Sequence, residues 1–344
     1  MNTPLVSLPY ILDAPLAVSV NRNGVTESIH HVDIAVCDAD GQVIFGMGDI
    51  EGDIFPRSAM KPLQAIALVE MLSEASEYEA LSSAEIALIC ASHNGEPLHS
   101  DAVKSLLRKF DISPDELICG AHWSLEQDSL ISQVRSLSQP DKTLNNCSGK
   151  HAGMLVLAKL LTGSTQHYAD ISHAAQQRIL GVLEVMTGSD LLANVTAIDG
   201  CGAPVYRAPL GNWARAFALF AHGGIQPPMR EQACIRIRKS IAEHPYHLAG
   251  RNRACSAVNQ AYGEAITVKV GAEGVYSAAF HDLGLGMMLK TRDGSKRGAE
   301  VGLGAVIKAF GYDIPESLAP YFMPELSNWA GSVVGDITLE NLML

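Results

Sequence analysis

This chain is short of positive charge, of long apolar runs and of patterned cysteine, and each shortage removes a class of function. Only 25 lysines and arginines stand against 37 acidic residues, a net charge of −12. A phosphate backbone needs a basic surface, so nucleic acid is excluded as a partner. The richest apolar stretch, Met154 to Leu161, carries Lys159 and is far too short to span a bilayer. The segment from Met1 to Asp13 has no basic region and is broken by Pro4 and Pro9, which argues against a secretory signal. Seven cysteines are an odd number without dense spacing, so reduced thiols and a cytoplasmic home are expected. No Gly/Ser/Pro-rich linker and no internal repeat appears. Gly284-Leu285-Gly286 and Gly302-Leu303-Gly304 lack the strand–loop–helix setting of a dinucleotide site. The three tryptophans, Trp123, Trp213 and Trp329, are expected as core or interface anchors.

What is present suits a large core: 344 residues, 47% hydrophobic and 18% charged. Residues 16–50 alternate apolar and polar around Asn23-Gly24 and Asp40-Gly41, which predicts strands and hairpins. Helical spacing follows at 62–77, 98–110, 149–161, 171–186, 211–221 and 229–243. Ser82 to Glu85 reads as a capping box before an apolar run, 86–90, that fits a helix or a buried strand. Residues 266–270 and 275–280 then pair across a Gly-rich turn, 282–290 supplies a third strand, and 299–310 closes as a helix. Strands at both ends with helices between predict an α+β fold, its antiparallel sheet built from both chain ends and packed against helices. One domain over 1–344 is expected. Its sheet-bearing part lies at about 15–60 and 262–312, and its helical subdomain at about 62–260.

Chemistry concentrates in five short segments. Ser58-Ala59-Met60-Lys61 is a Ser-x-x-Lys. A serine hydroxyl needs a base, and a lysine three residues on shares its face of a helical turn. A desolvated amine can lose its proton near neutrality and take the serine's. The tetrad alone equally describes a solvated first turn. Pro62 disfavours α conformation at Lys61, so a tight 3₁₀-like turn is expected there. Cys90-Ala91-Ser92-His93-Asn94-Gly95 follows an apolar run and could present Ser92 at a pocket lip, or form an ordinary polar loop. Asn145 to His151 is dense in donors just before a helix, where backbone N–H groups can hold an anion. Cys147 and Cys201 could bind zinc as thiolates, with Lys150 or His151 as a third ligand. Ligand chemistry alone favours His151, and two small buried thiols are the plain alternative. Asp199-Gly200-Cys201-Gly202 is a polar turn whose carboxylate could take a substrate amine. Lys269, inside an apolar strand and ahead of Gly271-Ala272-Glu273-Gly274, should be paired, functional or outward-facing.

Taken together, these segments resemble the rhizobial-type L-asparaginases, the asparaginase II family, over roughly residues 18–310. The resemblance implies a fold like the serine β-lactamases and glutaminases, and homodimers. It implies two Ser–Lys tandems, Ser58 with Lys61 and Ser92 with Lys269, facing one pocket. It implies a zinc site of Cys147, Lys150 and Cys201 with Asp199 close by, which displaces the preference for His151. Arg57, Asp199, His93 and Asn94 are expected around the substrate, L-asparagine. The Ser-Asp-Asn and Lys-Thr-Gly elements of the β-lactamases are absent, which weighs against penicillin chemistry. Rival readings are a zinc-hydroxide amidohydrolase, a glutaminase or peptidase of similar fold, and a zinc-stabilised amino-acid-binding protein without catalysis.

Overall fold

The computed structural model describes residues 4–74, 80–222 and 226–342. The chain divides into two compact units. One takes Met1–Ala59, Ala208–His222 and Val268–Leu344; the other takes Met60–Arg207 and Gly223–Thr267.

The first unit carries a nine-stranded sheet. Along its main path the order is Glu325–Ser327, Val333–Leu339, Leu16–Arg22, Val25–Cys37, Leu285–Thr291, Val275–Phe280 and Ile266–Gly271. Val43–Met47 pairs antiparallel with the far end of Val25–Cys37, and Tyr10–Leu12 lies parallel to it. Strands from both ends of the chain therefore share one sheet, as the order of elements predicts. The Asn23-Gly24 hairpin closes because both residues adopt a left-handed φ, 49° and 74°, which matches the twist of the flanking strands.

Residues 32 to 37 are buried without interruption because both sheet faces are covered. On helix Lys296–Ala309 a Cβ at Gly302 would meet Val32 in ordinary contact, while the Cys37 thiol points to the Gly211 carbonyl of helix Leu210–Ala221 at 3.5 Å. An odd separation of five residues puts Val32 and Cys37 on opposite faces. Leu210–Ala221 is rich in alanine and phenylalanine and buries nine side chains. It comes so close to strand Leu285–Thr291 that a Cβ on Gly286 would collide with the Ala218 amide. The sequence predicts this helix correctly but cannot tell that it serves the sheet unit.

The second unit is helical. Lys61–Glu74 and Ser148–Thr162 are buried on nearly every side, and Ser83–Ile89, Pro97–Lys109, Ala174–Thr187 and Pro228–Glu243 surround them. The expected helix at 62–77 ends at Glu74, and 75–77 lie outside the described residues. The run at 86–90 is helix: Ser82 accepts from the Glu85 amide at 3.3 Å while Glu85 reaches back to the Ser82 amide at 2.8 Å. Gly149 lets the start of Ser148–Thr162 meet the end of Ser83–Ile89, since a Cβ there would strike the Leu88 carbonyl oxygen. All seven cysteines are buried thiols outside any disulfide. Among the described residues no helix is long and apolar enough to cross a membrane.

Candidate active site

In the sheet unit the lead-in to Ser58 is anchored first. Asp53–Ile54 pairs with Ala208–Pro209, and the Leu210 and Gly211 amides donate to the carbonyls of Gly52 and Ile50 at 3.0 and 2.9 Å. The chain then turns through a 3₁₀ helix, Arg57–Met60, before the α-helix begins at Lys61. Arg57 sits at φ 51°, a left-handed conformation that costs a non-glycine residue about 1 kcal/mol or more. It orients the half-buried Ser58 that follows. The buried Ser277 hydroxyl lies 3.3 Å from both the Ala59 and the Lys269 carbonyl oxygens. A Cβ on Gly271 would stand 2.5 Å from the Pro56 carbonyl oxygen. These features draw the Ser58 turn against the strand that carries Lys269. Lys269 is only 1% exposed and its ammonium donates to the Val270 carbonyl at 2.8 Å.

In the helical unit Lys61 is also 1% exposed. Its Nζ donates to the Ala91 carbonyl at 2.5 Å, to Ser92 Oγ at 3.0 Å and to Cys147 Sγ at 3.2 Å. Lys61 thus meets Ser92, a pairing the resemblance did not imply. His93 and Asn94, expected near substrate, hold the loop together. His93 Nδ1 accepts from the Gly95 amide at 3.1 Å, so the ring carries its proton on Nε2 and donates it to Ser148 Oγ at 3.0 Å. Asn94 donates to the Arg251 carbonyl at 2.8 Å and to Glu96 at 3.2 Å, and accepts from Arg253 at 2.8 Å.

The thiols lie at the start of helix Ser148–Thr162. Cys147 is its N-cap, where the helix dipole favours a thiolate. Asp199 and Cys201 sit in the loop of a small hairpin formed by Thr196–Ile198 and Pro204–Tyr206. Lys150 Nζ is 2.9 Å from Cys201 Sγ, and Asp199 Oδ2 is 3.9 Å from the same sulfur. A hydrogen bond from Cys201 holds Cys147 well below the ordinary thiol pKa, against burial and with help from the Lys61 and Lys150 charges. That same bond, together with burial, pushes Cys201 up. Burial works against the Lys150 ammonium, but the charges of Cys147, Cys201 and Asp199 outweigh it and raise its pKa. His151 turns Nδ1 to the Tyr168 hydroxyl at 2.8 Å and is kept neutral by burial. Among the described residues no three His, Cys, Asp or Glu side chains form a metal cage. Lys150 is the nitrogen beside Cys201, and it could join the two thiols as a metal ligand only after giving up the proton that the surrounding negative charges hold on it.

Several residues of this region escape a reading by sequence. The His122 ring accepts the Asn146 amide at 2.9 Å, and Asn145 accepts the Cys147 amide at 2.8 Å while donating to the Cys119 carbonyl at 2.7 Å. Glu96 is 2% exposed and carries a contact network of its own. A buried carboxylate between Gly95 and Pro97 was the available signal, but its partners lie about 150 residues away.

The scaffold is mixed α/β, and in its helical unit Lys61, Ser92 and Cys147 are buried together. The chain belongs to the L-asparaginase II family, whose model matches residues 18–339. No curated protein matches it. Among solved structures it is similar to the native form of Mglu, at 14% identity and a TM-score of 0.39, over 78% of this chain and 62% of that one. It is also similar to a Bacillus glutaminase, at 12% identity and a TM-score of 0.41, over 80% of this chain and 90% of that one. The chain thus spans about three fifths of the native Mglu structure that it matches.

Proposed function

We propose that this enzyme hydrolyses L-asparagine to L-aspartate and ammonia through a serine acyl-enzyme. Family membership supports the amide chemistry. The single observation that carries the serine–lysine reading is the buried 3.0 Å contact between Lys61 Nζ and Ser92 Oγ. Ser58 Oγ attacks the side-chain carbonyl carbon, and its proton passes to Lys61. Backbone N–H groups, that of Ser58 among them, hold the resulting oxyanion. The C–N bond breaks, and ammonia leaves with a proton delivered through Ser92 and Lys269. Water then adds to the ester and restores the serine. Arg57 and Asp199 are assigned to the substrate's α-carboxylate and α-amino groups.

A second assignment is favoured by the Lys61–Ser92 bond itself: Ser92 as the acylated residue. Trapping the intermediate with a slow substrate and mapping it by mass spectrometry separates the two serines. An ester on neither sinks the acyl-enzyme reading.

Cys147, Lys150 and Cys201 are the residues assigned to hold zinc, which would supply a fixed positive charge to orient an anionic substrate group. Ammonia release after chelation tests its part: complete loss restored by zinc favours a zinc-hydroxide mechanism, and partial loss leaves the ion as an organiser. A substrate panel separates asparaginase from glutaminase or peptidase, and substrate affinity without any ammonia release would mark a binding protein. A homodimer in the cytoplasm completes the proposal, with the dimer to be checked by light scattering.

A further inference from the structure

The loop that carries Ser92 is held from behind by a segment no motif singled out. The Ser92 and Asn94 amides donate to the Leu248 and Ala249 carbonyls, both at 3.0 Å, a two-rung ladder between segments far apart in the chain. Immediately beyond, Gly250 and Asn252 take left-handed φ values of 95° and 56°. This kink is closed by Glu96, whose buried carboxylate accepts the Arg251 amide at 2.8 Å, the Asn94 amide group at 3.2 Å and the Tyr246 hydroxyl. The Arg251 guanidinium stands 3.7 Å from it. A Cβ on Gly250 would strike this carboxylate and would lie 2.9 Å from Asn94 Nδ2. Three near-parallel rings brace the same junction. His99 stacks on His93 at 4.7 Å and 8°, and on Tyr246 at 5.5 Å and 2°.

Glu96 lies four residues from Ser92, and its carboxylate bonds to Asn94, Tyr246 and Arg251, so it acts on Ser92 through the loop. We propose that Glu96 is a positioning residue for Ser92, clasping the Tyr246–Arg253 segment onto the Ser92 loop and so setting Ser92 Oγ against Lys61 Nζ. The physical basis is that one buried carboxylate satisfies three donors from two segments. An amide of the same shape accepts with one oxygen only and presents an N–H to the remaining donors. The loop must then shift, and a displacement of about 1 Å at a reacting group costs up to roughly 100-fold in rate.

The inference rests on the reading that Ser92 takes part in the reaction, and the test separates the two. In Glu96→Gln, kcat on asparagine is expected to fall roughly 10- to 100-fold while KM stays within about twofold. The loss should vanish in a Ser92→Ala background, because a residue acting only through Ser92 has nothing left to position. The same factor of loss in that background means a general structural role and overturns the proposal, as does wild-type kcat in Glu96→Gln. Wild-type kcat in Ser92→Ala shows that the Ser92 assignment itself failed, and the proposal falls with it. If Glu96→Gln does not fold, Tyr246→Phe removes one donor more gently and is put through the same cycle, with a smaller drop expected. A crystal structure of either variant gives a readout independent of substrate: Ser92 Oγ beyond hydrogen-bond distance of Lys61 Nζ supports the proposal, and an unmoved Ser92 overturns it.

Discussion

Lys61 has an acceptor for each proton of an ammonium: a carbonyl, a hydroxyl and a thiol. To act as a base it must give one of them up. The Ala91 carbonyl cannot reverse its bond, because a carbonyl only accepts. Ser92 Oγ must therefore turn its own proton toward the nitrogen, because Cys147 is held toward its thiolate form and only accepts. Lys61→Met is expected to lower turnover by roughly 10²- to 10⁴-fold, measured as ammonia release, the range of one lost proton-transfer role. Lys61→Arg should not rescue it, since a guanidinium does not deprotonate in proteins. Near-normal turnover in either variant removes Lys61 from the chemistry. Arg57 gives a stability counterpart. Its left-handed φ is free to glycine and costly to a β-branched residue, so of two variants that both remove the side chain, Arg57→Val should be less stable than Arg57→Gly by about 1–2 kcal/mol in denaturant unfolding.

At the scale of elements, the close approach of two helices sets where the thiol stands. A methyl group on Gly149 meets the Leu88 carbonyl, so the start of Ser148–Thr162 must lift away from Ser83–Ile89. Gly149→Ala is expected to cost about 1–3 kcal/mol in urea unfolding, and the displaced Cys147 should weaken any zinc affinity measured by titration. Elements governed by neighbouring residues were legible in advance. Asn23-Gly24 makes its hairpin through left-handed φ, Ser82 and Glu85 cap each other, and the 3₁₀ turn before Pro62 follows from the proline. Glu325–Ser327 and Val333–Leu339 were not read, because half-exposed strands near a sheet edge carry little apolar alternation. Gln127–Ser136 escaped likewise, burying only Gln133. The candidate residues were found from their types and spacing. The Lys61–Ser92 contact was not, because it depends on packing between segments about 30 residues apart.

Across the whole molecule, buried histidines make stability a function of acidity. Burial holds His93, His99 and His151 below the ordinary imidazole pKa of 6.5 in the folded chain. Once unfolded, these rings take up protons near that pH. The stability they contribute is therefore whole above about pH 6.5 and falls as pH drops toward their folded-state pKa values. Each ring contributes a slope of up to about 1.4 kcal/mol per pH unit. Urea midpoints should fall from neutral pH toward pH 5, and His151→Gln should shallow that slope. An unchanged slope would mean that His151 is protonated in the native fold.

The pairing of Val333–Leu339 with Leu16–Arg22 also dictates an order of events on the ribosome. The early strand finds its hairpin partner Val25–Cys37 at once, but its other edge waits for more than 300 further residues to be translated. At ~5–20 residues per second that wait is roughly 15–60 s, during which an open row of backbone donors and acceptors faces solvent or a chaperone. Synthesis of Val333–Leu339, rather than local folding speed, sets when that edge is sealed.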